Sequence, residues 1–356
     1  MEILQGLHKL RPNWDFEVFA YDFSHDIILP NQSKPIKIRK RYTSIFGDYE
    51  LTERLKEFDI IYIKGVYYYL IPARRSNKPV IMVVHQIDSI KLFKGFRQKL
   101  LSILTIISTP YFLKNSDYVI TVTDELKSLY LRCFGIQAKV IPDQFSDIYF
   151  KALINRKPPN RNETINLLSV GYWDGENGRK RQDLLLKIIA NPLGKSRKIH
   201  LTLVGLTADN IKNLTELCIN LDIQDKVTLE GIINESDLVE RYEKSDVYVT
   251  HTTYEGFYRQ IIEAFASKMP ALVYDSRLIV NNKSQAAPVN HVIKSNGGEL
   301  FKNSLEFHTK LAKILDNYNL YSSRAFEYAK KFSNENSVNL NVELFESIGS
   351  DASLKN

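Results

Sequence analysis

The chain has 356 residues, about twice the length of a typical single domain, so its length alone predicts two domains. Apolar residues make up 44%, charged residues make up 25%, and there are only 15 glycines and 12 prolines. This composition excludes a disordered, collagenous or low-complexity protein. The formal charge of +7 predicts attraction to anions, and nucleotides, phospholipids and nucleic acids all remain open as partners.

The positive charge is concentrated between residues 51 and 100, which contain ten basic and four acidic side chains. No window reaches the eighteen or more apolar residues of a membrane span, and the N-terminus lacks the pattern of a secretion signal. Two cysteines, Cys133 and Cys218, are too few for a disulfide framework or a four-cysteine zinc site. We therefore expect a cytoplasmic protein with two buried thiols.

Short runs rich in Val, Ile and Tyr alternate with stretches whose apolar residues have helical spacing. The strands expected in the first half begin near Phe16, Asp59, Pro79, Asp117 and Ala138. Those expected in the second half begin near Ile165, Ile199, Lys226, Asp246 and Pro270, with a weaker one, NHVIK, at Asn290. Strands that alternate with helices form parallel sheets. The pattern predicts an α/β protein with two doubly wound parallel-sheet domains.

The N-terminus departs from this pattern because Ile3, Leu4, Leu7 and Leu10 have helical spacing and lead directly to the strand at Phe16. A strand in place of this helix would leave about eight residues for a crossover that needs roughly ten to twelve. We therefore expect an N-terminal helix and a first domain that lacks its first strand.

Turn-forming residues collect in NRKPPNRNET, residues 155–164, which we interpret as a linker between domains. The expected domains are then residues 1–154 and 165–335. The helical pattern of NVELFESI from Asn341 predicts a last helix, residues 336–350, that returns to the first domain.

The segment that is most informative about function is HTTYEGFYRQIIEAFASKMPALVYD, from His251 to Asp275. A predicted strand ends at Thr250, a loop contains Glu255 and Gly256, and a helix contains Glu263. Glycine lets the backbone approach a ligand, and the free N–H groups at a helix start can bind a diphosphate. On the residues alone, two solvent-exposed glutamates and two glutamates lining one pocket are equal alternatives.

This segment resembles the signature of retaining glycosyltransferases of family 4, in which two glutamates are separated by seven residues. Those enzymes have the GT-B fold, two Rossmann-like domains that face a cleft. The segments SVGYWDGENGRKRQDLLLKII from Ser169, LTLVG from Leu201 and KVTLEGIINESDLVERYEKSDVYVTHTTYEGF from Lys226 extend the resemblance. In the first half, VVHQIDS, NSDYVITVTDELKSLYL and KVIPD follow in the family's order.

The resemblance implies an enzyme that transfers a sugar from a nucleotide-diphosphate sugar, a UDP- or GDP-sugar, to a hydroxyl acceptor with retention of configuration. It implies no obligatory metal or cofactor. The acceptor would be a lipid-linked molecule, a glycan or a protein, and the resemblance does not choose between them.

The resemblance also implies roles for individual residues. Glu263 would accept hydrogen bonds from the ribose hydroxyls, and Glu255 would hold the donor sugar near its reacting carbon, since carboxylate oxygens accept from hydroxyls. Lys180 would contact the diphosphate, whose developing charge needs fixed cations. His85 would face the donor sugar from the first domain. The other expected donor-binding residues are Arg179, Gly256, Phe257 and Tyr258, and the additional candidate phosphate contacts are Arg181 and Arg259.

Several positions depart from the family pattern. Tyr172 stands where the family has an arginine, and Arg179 could replace the lost phosphate contact from a different position. Tyr258 is expected to crowd the helix start, and Asp143 and Gln144 replace a usual Asn-Gly turn. With the shortened N-terminus, two alternatives stay open: a non-catalytic sugar-nucleotide-binding or membrane-associated protein, and a glycosyltransferase that acts on DNA bases.

The segment SIKLFKGFRQKLLSILTIISTPYFLK, from Ser89, joins a basic cluster to an apolar run. One interpretation is a surface helix on anionic lipid, which would make the protein a peripheral membrane protein. The basic residues at the lipid headgroups would be Lys91, Lys94, Arg97 and Lys99. The alternative is a solvated start followed by a buried helix. No segment resembles a nucleic-acid-binding module, so nucleic acid is not an expected partner.

Overall fold

The computed structural model describes residues 2–19, 38–39, 49–64, 69–85, 108–143, 145–151, 156–160, 163–176, 178–191, 198–278 and 286–353. The chain divides into two compact units, Met1–Gln144 with Asn334–Asn356, and Phe145–Ser333. This division falls about ten residues before the boundary at residue 154 expected from the sequence, so residues 155–164 lie in the second unit.

The elements are named here in chain order. The described strands are β1 (Val18–Phe19), β2 (Ile38–Arg39), β3 (Ile61–Lys64), β4 (Val80–Val84), β5 (Tyr118–Thr121), β6 (Lys139–Val140), β7 (Ile165–Val170), β8 (Ile199–Leu206), β9 (Val227–Gly231), β10 (Val247–Thr250), β11 (Ala271–Tyr274) and β12 (Gly298–Phe301). The α-helices are α1 (Glu2–Leu10), α2 (Tyr49–Leu55), α3 (Leu70–Arg75), α4 (Asp124–Phe134), α5 (Ile148–Lys151), α6 (Gln182–Ala190), α7 (Ala208–Asn220), α8 (Glu235–Lys244), α9 (Arg259–Ala266), α10 (Ala287–Ser295), α11 (Ser304–Asp316), α12 (Tyr318–Ala329) and α13 (Asn334–Ser353). Residues 108–114 are helical as well.

The first unit is built on a parallel sheet with the strand order β3-β4-β5-β6, and β1 and β2 form a separate parallel pair. All five residues of β4 are buried, as expected for a strand covered on both faces. From α13, Leu344 and Ile348 pack with Ile81 of β4 and Ile120 of β5. The last helix of the chain thus contributes to the core of the first unit.

Helix α1 packs closely against α13 within the same unit. Leu7 lies in a cluster with Val338 and Val342. A Cβ added to Gly6 would lie only 2.3 Å from Cγ2 of Val338, so this crossing has no room for a larger residue.

The second unit contains a six-stranded parallel sheet with the order β12-β11-β10-β7-β8-β9. The chain starts at β7, adds β8 and β9 on one side, and returns to place β10 on the other side of β7. Open α/β sheets bind ligands outside the carboxyl ends of the strands at such a switch point. We therefore expect a ligand-binding site of this unit in the loops that follow β7 and β10.

Arg156 fastens the segment before β7 to the second unit. Its Nε donates to the carbonyl of Ser267 at 2.9 Å, and its Nη2 donates to the carbonyl of Tyr242 at 2.5 Å. Because both acceptors are backbone carbonyls at helix ends, the guanidinium satisfies groups that a helix leaves without partners.

The predicted α/β class with two parallel-sheet units is confirmed, and the predicted N-terminal helix is α1. The strand predicted at Asn290 is wrong. That residue lies in α10, which buries Val289, His291 and Val292 and ends at Asn296 with a φ of +50°. The strand of this region is β12, where a Cβ on Gly298 would lie 2.0 Å from the carbonyl oxygen of Ala271. Only glycine fits so close to β11, and glycine concealed the strand from its sequence pattern.

The expectation of two buried thiols is half wrong, since Cys218 is buried but Cys133 is exposed on α4. No helix in the described part of the chain is both long enough and apolar enough to span a membrane.

Candidate functional site

The loop after β7 brings a lysine into the second unit's switch point. Gly171 has a φ of +143°, a conformation that other residues rarely adopt. A Cβ here would lie 2.6 Å from Nζ of Lys180, so glycine makes room for the ammonium group. Lys180 is only 8% exposed, and within the described residues its Nζ has no hydrogen bond or ion pair. A buried ammonium without a counter-charge is costly, so this position favours an incoming anion.

Lys180 lines a small, narrow pocket at the ends of β7 and β10. The polar residues that share the lining are Ser169, Arg181, Gln182, Thr250, His251, Thr252 and Tyr258. Neither Glu255 nor Glu263 is among the described residues of this lining, so the single pocket expected for both glutamates is not found there. Each glutamate is instead paired with an arginine of its own.

Glu255 lies in the loop between β10 and α9 and pairs with Arg179. The distance from Nη1 of Arg179 to Oε1 of Glu255 is 2.9 Å. The backbone of Glu255 forms a bridge with Ala286, and its carbonyl accepts a hydrogen bond from the N–H of Ala287 at 3.1 Å. Both the backbone and the side chain of this glutamate are therefore fixed.

Glu263 lies on α9 and is 6% exposed. Its Oε1 is 3.1 Å from Nε of Arg259, and its Oε2 accepts from the hydroxyl of Tyr242 at 3.0 Å. Burial raises the pKa of Glu263, although Arg259 and Tyr242 act in the opposite direction. The carboxylate is thus held in one orientation and is easier to protonate than an ordinary glutamate.

Tyr258 caps the N-terminus of α9 in the left-handed conformation, with a φ of +60°. Its hydroxyl lies 3.0 Å from that of Tyr248, 2.8 Å from Oγ1 of Thr250 and 3.2 Å from Oγ1 of Thr252. The Tyr258 side chain is thus buried among residues of β10 and its loop, at the start of α9. Nζ of Lys180 lies 5.4 Å from the centre of the Tyr258 ring, a cation–π distance.

The first turn of α9 has no side-chain cap from Tyr258. The N–H of Ile261 donates to the carbonyl of Tyr258 at 3.3 Å, and the start of a helix is a place that can bind phosphate. Gly256 is buried in the loop immediately before this turn.

Two buried histidines support the loop between β10 and α9. His291 lies 2.6 Å through Nε2 from the carbonyl of Phe257 and 3.0 Å through Nδ1 from the hydroxyl of Tyr328, so Nε2 donates and Nδ1 accepts. The ring of His251 stacks on Tyr274 at a centroid distance of 3.8 Å, and its buried Nδ1 has no hydrogen-bond partner in the part of the chain that the structure describes. Burial lowers the pKa of both histidines to about 4, so both are neutral at physiological pH.

Phe257, expected to help bind the donor sugar nucleotide, is not among the described residues that line the pocket. Its ring packs against His291 and Phe332, each at a centroid distance of 5.7 Å. Arg181 is paired through two hydrogen bonds with the fully buried Asp183, at 3.0 and 2.8 Å. Asp183 also accepts from Nε1 of Trp173 at 3.3 Å. Through these contacts, Phe257 and Arg181 each contribute to the structure of the second unit.

In the first unit, His85 follows β4 and pairs with Asp143, which follows β6. The distance from Nδ1 of His85 to Oδ2 of Asp143 is 2.8 Å, and Nζ of Lys64, the last residue of β3, lies 3.1 Å from Oδ1. Burial acts to raise the pKa of Asp143, but His85 and Lys64 outweigh it, and the pKa stays below its usual value. The carboxylate therefore fixes the proton of His85 on Nδ1, and the buried Nε2 has no hydrogen-bond partner among the described residues.

The expected membrane-facing residues Lys91, Lys94, Arg97 and Lys99 lie outside the described residues, as does Gln144. Across the part of the chain that the structure describes, no group of three or more His, Cys, Asp or Glu side chains is placed to hold a metal ion.

Sequence reasoning missed the residues that hold the expected ones in place. Asp143, Asp174, Tyr242 and His291 each contact a predicted site residue or its loop. No local spacing connects Tyr242 with Glu263 or His291 with Phe257, since the partners lie 21 and 34 residues apart. Asp174, by contrast, lies only five and six residues before the two N–H groups that donate to it, those of Arg179 and Lys180.

Comparison with known proteins agrees with this geometry. Residues 154–332 match the family model for glycosyl transferases group 1, and residues 5–143 match the model for glycosyltransferase family 4. No curated protein is similar enough in sequence to match the chain.

Solved structures share the fold at low sequence identity. A structure of HepE from Anabaena in complex with UDP and glucose is 17% identical, with a TM-score of 0.65 over 88% of this chain and 86% of that one. Sucrose-phosphate synthase from Thermosynechococcus elongatus is also 17% identical, with a TM-score of 0.68 over 98% and 92% of the two chains. The lipopolysaccharide outer core galactosyltransferase WaaB is 17% identical in sequence, with a TM-score of 0.63 over 88% of this chain and 85% of that one. These likenesses show the GT-B fold, and the first family match covers half of the chain: this protein belongs to the glycosyl transferases of group 1.

Proposed function

We propose that this protein transfers a sugar from a nucleotide-diphosphate sugar to a hydroxyl acceptor, with retention of the anomeric configuration. The observation that carries the proposal is the buried ammonium of Lys180, which lies against Gly171 without a counter-charge from any described residue. It lies at the switch point of a parallel sheet, where ligands of this class of fold bind. A diphosphate is the anion that best suits a lysine beside an uncapped helix start.

Glu263 is the proposed partner of the ribose hydroxyls. Both of its oxygens have a partner, but a carboxylate accepts about four hydrogen bonds, so it can accept two more from a diol. Its fixed orientation means that little side-chain entropy is lost when the nucleotide binds. Arg259, which holds it, is proposed to act through Glu263 while adding positive charge at the first turn of α9.

Glu255 is the proposed partner of the donor sugar, with Gly256 allowing the close approach of the backbone. His85 is proposed to act in catalysis, supported by an Nδ1 that Asp143 fixes and an Nε2 to which no described residue is hydrogen-bonded. Phe257 and Tyr258 would shape the donor site through the backbone and through the pocket lining, respectively. These assignments extend the family resemblance with contacts that the residues make.

The proposed reaction needs no metal. The bond between the anomeric carbon and the diphosphate oxygen breaks, and its electron pair stays on the diphosphate, whose charge Lys180 and the α9 N–H groups stabilise. The acceptor oxygen bonds to the same face of the anomeric carbon, and its proton passes to the leaving phosphate oxygen. A UDP-sugar is the first donor to test, since the HepE structure contains UDP and glucose.

The domain assignment proposed with this function keeps residues 165–335 as the nucleotide-binding part, and residues 1–154 with helix 336–350 as the acceptor part. The proposed acceptors are lipid-linked, glycan or protein hydroxyls. A cytoplasmic enzyme that associates with the membrane through the basic segment after Ser89 suits the first of these. Neutral and anionic vesicles, compared in sedimentation assays, test that association.

The function itself is tested by a screen of UDP-, GDP- and ADP-sugars for thermal stabilisation and hydrolysis, with wild-type protein and the Lys180→Met and Glu263→Ala variants. Glu216→Gln, an exposed change on α7, is the control. We expect one nucleotide to stabilise the wild type and the control but neither site variant, and we expect slow hydrolysis of its sugar. The absence of stabilisation by every nucleotide would refute the donor site. Stabilisation without hydrolysis or transfer would identify the non-catalytic alternative.

A further inference from the structure

The loops after β7 and β10 are joined into one rigid piece. Lys180 forms an antiparallel bridge with Thr252, and the carbonyl of Arg179 accepts from the N–H of Thr253 at 2.8 Å and from its Oγ1 at 3.1 Å. The N–H of Arg181 donates to the carbonyl of His251 at 3.3 Å. The basic turn and the glutamate loop thus cannot move independently.

Asp174 stabilises the basic turn, residues 179–181, through hydrogen bonds to its backbone. Its carboxylate accepts from the backbone N–H groups of Arg179, at 2.9 Å, and Lys180, at 3.0 Å. A Cβ on Gly178 would lie 2.0 Å from Oδ1 of Asp174, so this tight turn requires glycine. The base of the Arg179 side chain is therefore fixed by the turn itself.

From this fixed base, Arg179 reaches the carboxylate of Glu255. Its Nη1 is 2.9 Å from Oε1, and its Nε is 3.8 Å from Oδ2 of Asp174. The Arg179 side chain is 32% exposed and that of Glu255 15%, so the pair is shielded from water. Oε2 of Glu255 has no hydrogen-bond partner in the described part of the chain.

Two assignments of Arg179 compete. As a diphosphate ligand it would replace the arginine missing at Tyr172, and it would have to leave the half-buried Glu255 without this partner. As a partner of Glu255 it keeps both charges neutralised, and of the basic turn's residues 179 and 180 it is Lys180 that faces the diphosphate. The geometry favours the second assignment, since removing one member of a shielded pair leaves an uncompensated charge.

We infer that Arg179 is a positioning residue for Glu255, which it holds by Oε1 so that Oε2 accepts a hydroxyl of the donor sugar. The inference rests on the proposed function and deepens it, because it separates recognition of the sugar from recognition of the nucleotide. Lys180 and Glu263 serve the nucleoside diphosphate, and the chain Asp174–Arg179–Glu255 serves the sugar.

The test compares binding of a nucleoside diphosphate with binding and turnover of the corresponding sugar nucleotide. The probe pairs are UDP with UDP-glucose, GDP with GDP-mannose and ADP with ADP-glucose, and the pair that stabilises the wild type is used. The variants are Arg179→Gln, Arg179→Lys, Glu255→Gln and the double change Arg179→Gln with Glu255→Gln. Lys180→Met is the comparison for loss of a phosphate contact, and Lys187→Gln, exposed on α6, is the control.

We expect Arg179→Gln to leave the Kd of the nucleoside diphosphate within about twofold of the wild type and to lower kcat/KM for the sugar nucleotide by about 10- to 100-fold. The double variant should be no worse than the worse single variant, because both changes break one unit. Arg179→Lys should restore part of the activity, since it keeps the charge but loses the planar fork.

A loss of nucleoside diphosphate affinity in Arg179→Gln equal to that in Lys180→Met would overturn the inference and make Arg179 a phosphate ligand. Full additivity of Arg179→Gln and Glu255→Gln would overturn it as well. If no pair binds the wild type, the proposed function fails first, and the inference falls with it. Thermal unfolding of each variant without ligand verifies that it is folded. If Arg179→Gln does not fold, the nucleoside diphosphate Kd and the kcat/KM of Arg179→Lys are compared with those of the wild type instead.

Discussion

The two parallel sheets present different charges at their carboxyl edges. In the first unit, Asp143 pairs with both His85 and Lys64, at 2.8 and 3.1 Å, so its negative charge is balanced there. In the second unit, arginines pair with both glutamates, and Lys180 stays buried without a counter-charge from the described residues. A parallel sheet gathers polar side chains at the same edge in both cases, but only the second edge leaves a positive charge for an anion.

The largest effect that tests this difference is expected from Lys180→Met. The change removes the charge from the diphosphate position and should weaken nucleoside diphosphate binding about 100-fold, the scale of a lost charge-assisted hydrogen bond of about 2 to 3 kcal/mol. The matched change Lys64→Met in the first unit should leave the affinity within about twofold. Titration calorimetry measures both, and equal losses would remove the distinction between the two edges.

Glu263→Gln should weaken nucleotide binding by about tenfold but leave the unliganded protein as stable as the wild type or more stable at neutral pH. Burial raises the pKa of Glu263, so its protonated form favours folding below the pKa of the unfolded chain, near 4.3, and this stability is lost as the pH rises through the folded pKa. Glutamine is uncharged, so the variant avoids the free-energy cost of keeping a buried carboxylate ionised at neutral pH.

Chemical denaturation at pH 7 tests the stability half of this prediction. A clear loss of stability in Glu263→Gln would mean that the ionised carboxylate stabilises the fold, contrary to its buried position. Because the pKa of Glu263 is raised, this carboxylate takes up its proton earlier during acidification than an exposed glutamate does. As the pH is lowered, the donor affinity of the wild type should therefore begin to fall at a higher pH.

Asp143→Asn should lower kcat by about tenfold while the nucleotide Kd stays unchanged, because the amide no longer fixes the proton of His85 on Nδ1. The pKa of Asp143 is lowered in the folded protein, so the stability that it adds is present above about pH 4 and is lost on further acidification. The variant should therefore unfold with a shallower dependence on pH in this acid range. Steady-state kinetics and acid unfolding check the two parts, and an increased nucleotide Kd would contradict the separation of the two edges.

The smallest effect at neutral pH is expected from His251→Phe. Both rings can stack on Tyr274, but phenylalanine does not titrate. With its pKa lowered to about 4, His251 costs stability as the pH falls below about 6.5, by about 1 to 2 kcal/mol between pH 7 and pH 5. The variant should match the wild type at pH 7 and exceed it at pH 5, as measured by thermal unfolding at both values. Identical pH dependence in the two proteins would show that His251 is not the titrating group.

The fold could be predicted from the sequence wherever a strand is buried on both faces and rich in β-branched residues, as in β4 and β10. It could not be predicted at β12, whose glycine is required by contact with β11 and carries no strand signal. The apolar residues of NHVIK suit either type of element over so short a run, and the surrounding contacts make the segment part of α10.

The candidate site divides in the same way. Glu255 and Glu263 are visible in the sequence because they lie eight positions apart in one loop and helix. The contacts of Arg179 and Tyr258 depend on how two loops dock, and the conformation of Tyr258 at +60° is one that a tyrosine rarely adopts. His85 and Asp143 lie 58 residues apart and meet only because β4 and β6 end at the same edge.

The most direct test of the central claim is hydrogen exchange of the wild-type protein with and without the nucleoside diphosphate that binds it. The account predicts protection of the peptides from Gly171 to Arg181 and from His251 to Glu263, with no change at Ile61–Lys64 or in residues 139–143. Protection confined to the first unit, or binding that leaves both loops of the second unit unchanged, would contradict it.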